Sequence, residues 1–536
     1  MTFDAVVIGS GINGLVAAAE LSGAGWSVCL LEGNDRLGGF IASDELTLPG
    51  YVHDTYSSWH PLFVTGAAFA ALGPDLARHG LEYCNTDAAV TASVARDGRH
   101  VIAHRDPAQT VAGFASRADS AAYLSMLDRL GADLDVIGAL LGSELRSLGT
   151  LRSFGTLVRR GRQARVEAWA RDTAASGRRW VRRHFEGTEV DHLWAPWLLH
   201  AGLAPDSASG GLMIPLFAAT MHGAGLPVVK GGQGLFAAAF EGLLRERGVT
   251  IRTGAPVDGV TVSDGRASGV TVGGETILAH RAVLASVSPG ALYRQLLPPD
   301  LAPATARREA SEYQYGRAGM QIHVALERPL VWSETSLAGI PLVHLSDGSG
   351  TTGVACAQAE AGLLPTRPTV VVGQQHLLDK SRVPEGAGML WLQLQEVPFA
   401  PVGDSANELD ISQGWSDELA AGYVERVLSL IEEQAPGTKA SVLACTAKTP
   451  VDLQSHNPNA IAGDPYGGSA ELDQNLLWRP GPVTSRHRTF LKGLWHIGAA
   501  THPGPGLGGG SGHLAAQALI RTAEGRLSRA RKRLLG

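Results

Sequence analysis

An α/β fold, α+β overall, is predicted for this 536-residue chain from three observations. A strand, glycine turn, helix and second strand open it between Asp4 and Glu32. A second α/β stretch runs from Leu226 to Ala291, and a strand, a glycine-rich turn and an Ala-rich helix follow Leu494. Helical patterning fills most of the first interval between these anchors, and strands mixed with one long helix fill the second.

In the opening unit, Val6, Val7 and Ile8 form a β-branched run suited to a buried parallel strand. The run breaks at Gly9, Gly11 and Gly14 in the spacing GxGxxG. An Ala-rich helix then reaches Leu21, and Ser27–Leu31 makes a second strand ending in Glu32. Gly9 permits the tight turn, Gly11 lets backbone approach a diphosphate, and Gly14 lets helix and strand pack closely. The free N–H groups at the helix start, around Ile12 and Asn13, favour an anion. Glu32 is placed to accept hydrogen bonds from a ribose and would repel a 2′-phosphate. This is the sequence form of a Rossmann-like dinucleotide site.

Composition bounds the rest. Hydrophobic residues make up 44% and charged residues 18%, as in a globular protein of two to four domains. A net charge of -6 argues against nucleic-acid binding. Cys29, Cys84, Cys356 and Cys445 are widely spaced, so neither a disulfide framework nor a metal site is expected, in keeping with a reducing cytoplasm. No basic leader precedes the first strand, and no apolar run reaches the roughly 18 residues of a membrane span.

After Glu32 comes GNDRLGGFIAS. Arg36 is expected to reach a phosphate, and Gly33, Gly38 and Gly39 leave backbone open to a bulky group, as a flavin requires. In LPGYVHDTYSSWHPLF (48–63), a turn at Pro49-Gly50 and a helix capped by Asp54 or Ser57 are expected, with His60 a candidate to touch substrate. A hairpin turning at Asp97-Gly98 follows, and Asp106-Pro107 opens a helical region reaching about Gly223. Within it, Leu145–His184 carries eleven arginines, and Leu151, Phe154 and Val158 share one helical face. Two readings stand: a peripheral membrane contact, or a solvated surface paired with acids elsewhere.

From Leu226 the chain gives a glycine turn at Gly231-Gly232, a helix ending near Gly248, and strands with turns at Asp264-Gly265 and Gly273-Gly274. Between 300 and 445, strands such as MQIHVALE and GMLWLQLQEVP accompany a helix from Ser416 to Gln434. The closing motif, LWHIGAATHPGPGLGGGSGHLAAQAL, has a strand ending before Gly498 and Ala499, then glycines leading to a helix near Gly508 and Gly509. A helix start there would meet negative charge on a reduced flavin. His502 is the second candidate to act on substrate.

GSGINGLVAAAEL, DRLGGF, LPGYVHDTYSSWHPLF, KGGQGL, RAVLASVSP, HNPNAIAGDPYGG, LDQNLLWRP and GAATHPGPGLGGGSG together resemble the phytoene-dehydrogenase-like FAD-dependent oxidoreductases over nearly the whole chain. Pro505 and Gln233 depart from that pattern. The resemblance implies a Rossmann-like FAD/NAD(P)-binding fold with a discontinuous FAD domain (1–83, 225–299, 475–536), a helical lobe (84–224) with a membrane-facing part as one reading, and a mixed-sheet substrate domain (300–474). It also implies Val257 near the adenine. The expected activity is hydride removal from an apolar small-molecule substrate to flavin N5. An oxidase of an amine or specialised metabolite, and a non-catalytic prenyl-binding protein, are the alternatives.

Overall fold

Among the described residues of the computed structural model (1–134, 137–138, 142–147, 150, 155 and 163–535), two seven-stranded sheets organise the chain. The first is ordered Gly259–Ser263, Arg266–Val272, Glu275–Ser286, Thr2–Ile8, Val28–Leu31, Thr250–Arg252, with Leu494–Ile497 joined to Glu275–Ser286. One edge of this long strand has two partners. Its beginning pairs antiparallel with Arg266–Val272, and Val283–Ser286 pair parallel with Leu494–Ile497. Its other edge carries Thr2–Ile8, also parallel. Strands from the two extremes of the chain therefore flank the same strand.

Alternation along the strands sets the two faces. Ala5, Val7 and Leu30 pack under the helices Ile12–Gly23, Gly234–Glu246 and Gly510–Leu535. Val6, Ile8, Cys29 and Leu31 pack on the opposite side against Leu292, Tyr293 and Ala306. Burial on both faces explains the unbroken apolar runs. It also pushes the Cys29 thiol up to about 11, as expected for a core cysteine.

The second sheet runs Val442–Lys448, Ala318–Leu326, Gly388–Val397, Val370–Gly373, Leu342–Leu345, Ala89–Val94, His100–His104. The hairpin at Asp97-Gly98 forms, with Gly98 at φ +85°. It completes this sheet, because Ala89–Val94 pairs parallel with Leu342–Leu345. Asp417–Gln434, with the Ser416 hydroxyl accepting from the Leu419 amide, backs the sheet as a helix. The helices Pro107–Val111, Arg117–Ala132, Gly177–His184 and Gly210–Ala224 share a core around Tyr123, Trp180 and Trp194.

The helix expected after Pro49-Gly50 is different from the one found. His53–Asp54 is a short strand paired with Ser43–Asp44, and the next helix is the single turn Pro61–Val64. Asp54 caps nothing. It is fully buried, ion-paired to Arg382 at 2.8 Å, and accepts from the Gln233 amide. The proline at 61 fixes the helix start, since its missing N–H costs nothing at a first turn.

In the arginine-rich stretch the face of Leu151, Phe154 and Val158 lies outside the described residues. Arg165, Arg178 and Arg183 are paired with Asp133, Asp206 and Asp172. Trp180 is buried, and Trp169 donates to Asp133. No helix among the described residues is long and apolar enough to cross a membrane.

Candidate active site

The carboxyl ends of the first sheet's central parallel strands open into one cavity of about 1550 Å³. Its near half is backbone-rich. Gly9 has φ +87°, which an L side chain resists, and a Cβ there would touch the Ser286 carbonyl at 3.0 Å. A Cβ at Gly14 would stand 1.9 Å from the Gly9 carbonyl oxygen, so helix and strand meet there at closest approach. At Gly11 a Cβ would meet nothing within 4 Å. It would enter the cavity, which Gly11 lines beside Ile12 and Asn13. Gly39 lies against Gly11, its added Cβ 3.5 Å from the Gly11 Cα, and Gly38 donates to Ser10.

Glu32 is held rigidly on this wall. One carboxylate oxygen accepts from the Ser10 amide at 2.8 Å and the Ser10 hydroxyl at 2.5 Å, and the other from the Asn34 amide at 2.9 Å. Gly33, Gly38, Gly39 and Val257 line the same half. Arg36 does not. Its guanidinium makes a two-pronged pair with Asp44 at 3.0 and 2.8 Å on the surface, because a carboxylate eight residues on matches its fork.

The last strand delivers Gly498, Ala499, Gly508 and Gly509 to this cavity. Three hydrogen bonds lock the helix that follows this turn to the opening helix. The Gly512 amide donates to the Asn13 side-chain oxygen at 3.1 Å, and Glu20 accepts from Gln517 at 2.9 Å and pairs with His513 at 2.6 Å. Two helix starts, at Ile12 and Gly510, thus open on one space.

Both histidine candidates sit elsewhere. His60 is fully buried, bonded to the Tyr83 hydroxyl at 2.9 Å and packed on Phe63 and Phe236. Burial pushes its pKa down to about 3. His502 is buried behind the glycine turn, and its carbonyl is bonded to His487 Nε2 at 2.8 Å. Neither lines the cavity; Trp59, Pro61, Ala500 and Pro503 do. The departures from the family pattern also resolve. Pro505 lines the cavity, and Gln233 is fully buried, its side-chain amide donating to the Ser58 carbonyl at 2.5 Å.

Three residues of the site were missed, although the strings HNPNAIAGDPYGG and LDQNLLWRP contain them. Asn459 accepts from the Ser288 amide at 2.8 Å at the end of the long strand. Asp464, fully buried, accepts from the amides of Gly316, Tyr466 and Gly468 at 2.7–2.8 Å. Arg479, also fully buried, donates to the carbonyls of Ala499, Ser469 and Tyr466, which fixes the glycine turn from behind. Burial pushes the Asp464 carboxyl up, against those three amides.

The far half of the cavity is formed between the helical lobe and the second sheet. Trp197, Leu203, Met213, Phe217, Met320 and Trp391 give it an apolar wall. The total volume exceeds the about 300–1,000 Å³ usual for one small ligand, so the space fits a cofactor and a substrate together.

A match to the family of flavin containing amine oxidoreductases spans residues 12–520. The chain belongs to this family. FAD is its cofactor, and it is an FAD-dependent oxidoreductase, which removes the non-catalytic reading. The site accommodates that cofactor: Gly11 leaves room where a side chain would protrude, and both helix starts face the same space. Pyridine nucleotide-disulfide oxidoreductase domain-containing protein 2 of Mus musculus is 27% identical over 97% of this chain and 93% of its own length. Hydroxyneurosporene desaturase of Rubrivivax gelatinosus is 28% identical over 97% and 93%. A crystal structure of an oxidoreductase from Methanosarcina mazei shares the fold, with a TM-score of 0.62 at 16% identity over 97% of this chain and 100% of that one.

Proposed function

We propose that this flavoprotein is a dehydrogenase or desaturase that takes a hydride from a largely apolar organic substrate. The apolar wall of the far half of the cavity carries this reading. No lysine lines the cavity among the described residues, and its acidic groups are Glu32 and Asp464. Glu32 belongs to the nucleotide end, and Asp464 is engaged by three backbone amides. An ammonium group would therefore find no free carboxylate in the far half, whereas a hydrocarbon skeleton gains about 25 cal/mol for each Å² it buries.

Bound FAD supplies the two-electron acceptor for the hydride. In this reading Gly9, Gly11, Ile12, Asn13 and Gly14 hold the diphosphate, and Glu32 with Gly33 holds the ribose. Gly38 and Gly39 would leave room for the flavin, Val257 would adjoin the adenine, and Gly498, Ala499, Gly508 and Gly509 would hold the ring end. The protein's own part is to align a C–H bond and shield the reacting centre, with a base or solvent taking any accompanying proton. A substrate of this class partitions into bilayers, so a peripheral membrane location is part of the proposal; flotation with anionic vesicles checks it.

The deciding experiment mixes the holoprotein anaerobically with isoprenoid polyenes and with primary amines. Bleaching of the oxidised flavin band by the polyenes, persisting in air until a quinone is added, is expected. Bleaching by amines alone, with hydrogen peroxide formed in proportion, would establish the oxidase reading that the family's name also supports.

A further inference from the structure

A row of polar side chains crosses the apolar half of the cavity. Across the second sheet, His344 stands opposite Val371, Val371 opposite Gln393, and Gln393 opposite Gln321. Residues in register share a face, so the two glutamines and the histidine form a row across the sheet. Gln321 and Gln393 line the cavity. His344 is fully buried and reaches it through His200, which does line it: the two Nε2 atoms lie 3.0 Å apart.

The row has unspent hydrogen-bonding capacity. Burial pushes the pKa of His200 down to about 3 and that of His344 well below its usual range, so both rings are neutral at pH 7. In a neutral pair meeting through Nε2, one ring donates and the other accepts. His200 Nδ1 then takes the opposite role to its own Nε2. Gln321 spends its amide on the Leu392 carbonyl at 2.9 Å. Gln393 is only partly buried, and its side-chain amide has no hydrogen-bond partner among the described residues. A pure hydrocarbon filling this space would strip water from Gln393 and His200 and return nothing.

We propose that the substrate carries an oxygen function, a hydroxyl or a carbonyl, on its apolar skeleton, and that Gln393 and His200 receive it. This rests on the apolar-substrate reading above and narrows it to oxygenated lipid-like molecules. Leaving such a group unpaired is worth roughly ten- to a hundredfold in affinity.

The test titrates the holoprotein with 1-dodecanol, 2-dodecanone and dodecane, following the perturbation of the flavin absorption bands. At least one oxygenated probe should bind about tenfold tighter than the alkane. Gln393→Met and His200→Phe, each shown to retain bound flavin, should erase that preference and leave alkane binding in place. Equal binding of all three by the wild-type protein overturns the proposal and leaves the apolar-substrate reading standing. Binding of none overturns both. An undiminished preference in both variants, or loss of flavin from Gln393→Met with the preference intact in His200→Phe, assigns the row to another task and also overturns it.

Discussion

Gly512→Ala tests the junction between the two ends of the chain. A Cβ at this position would lie 2.0 Å from the Asn13 carbonyl oxygen, so the helices Ile12–Gly23 and Gly510–Leu535 must part by about 1.4 Å to reach ordinary contact at 3.4 Å. The obstacle is backbone, which cannot swing aside as a flexible side chain would. Overpacking of this kind costs about 1–3 kcal/mol. The hydrogen bond from the Gly512 amide to the Asn13 side-chain oxygen would be lost as well, at about 1 kcal/mol. Together about 2–4 kcal/mol should appear as a lower urea midpoint, read by tryptophan fluorescence. Both helix starts border the cavity, so FAD affinity should fall at least about tenfold, read as flavin retained through gel filtration. Gly525→Ala in the same helix is the control. Its Cβ would meet nothing within 4 Å, and the change should stabilise by roughly 0.5–1 kcal/mol. If Gly512→Ala keeps stoichiometric flavin and the midpoint of the control, the junction does not hold the site together.

Gly11→Ala should separate cofactor binding from folding: flavin content drops, while the apoprotein's unfolding free energy moves by less than about 1 kcal/mol, since its Cβ meets only open cavity. Arg382→Met leaves Asp54 buried without its counter-charge and should cost about 3–5 kcal/mol in urea unfolding. At Asp404, burial raises the carboxyl pKa, but the Arg426 guanidinium and the amides of Glu408 and Leu409 outweigh it and hold the group at about 2. The folded value lies below the unfolded one, so its stabilisation of about 2 kcal/mol is complete above about pH 4 and is lost as pH falls through about 2. Asp404→Asn should flatten that part of the acid-stability curve.

Much of the nucleotide half was legible because its constraints are local. The spacing of Gly9, Gly11 and Gly14 reflects a turn, an open approach and a close contact, all within six residues. Turns such as Asp97-Gly98 announce themselves in the same way. What escaped depends on partners far away in sequence. Arg36 found Asp44 before any phosphate, and Asp54 pairs with Arg382 across more than three hundred positions. His60 and His502 look reactive in a motif but are packed behind the wall that their neighbours line. The polar row needs the register of strands at 321, 344, 371 and 393 at once, and no periodicity encodes that.

The strand Glu275–Ser286 takes neighbours from both extremes of the polypeptide. During synthesis, residues 2–8 emerge early, and almost five hundred more are added before Leu494–Ile497 can dock on the same strand. The sheet therefore closes late, and the nucleotide pocket with it. Flavin loading should consequently report that translation has run past this point, so a prematurely stopped chain would emerge colourless.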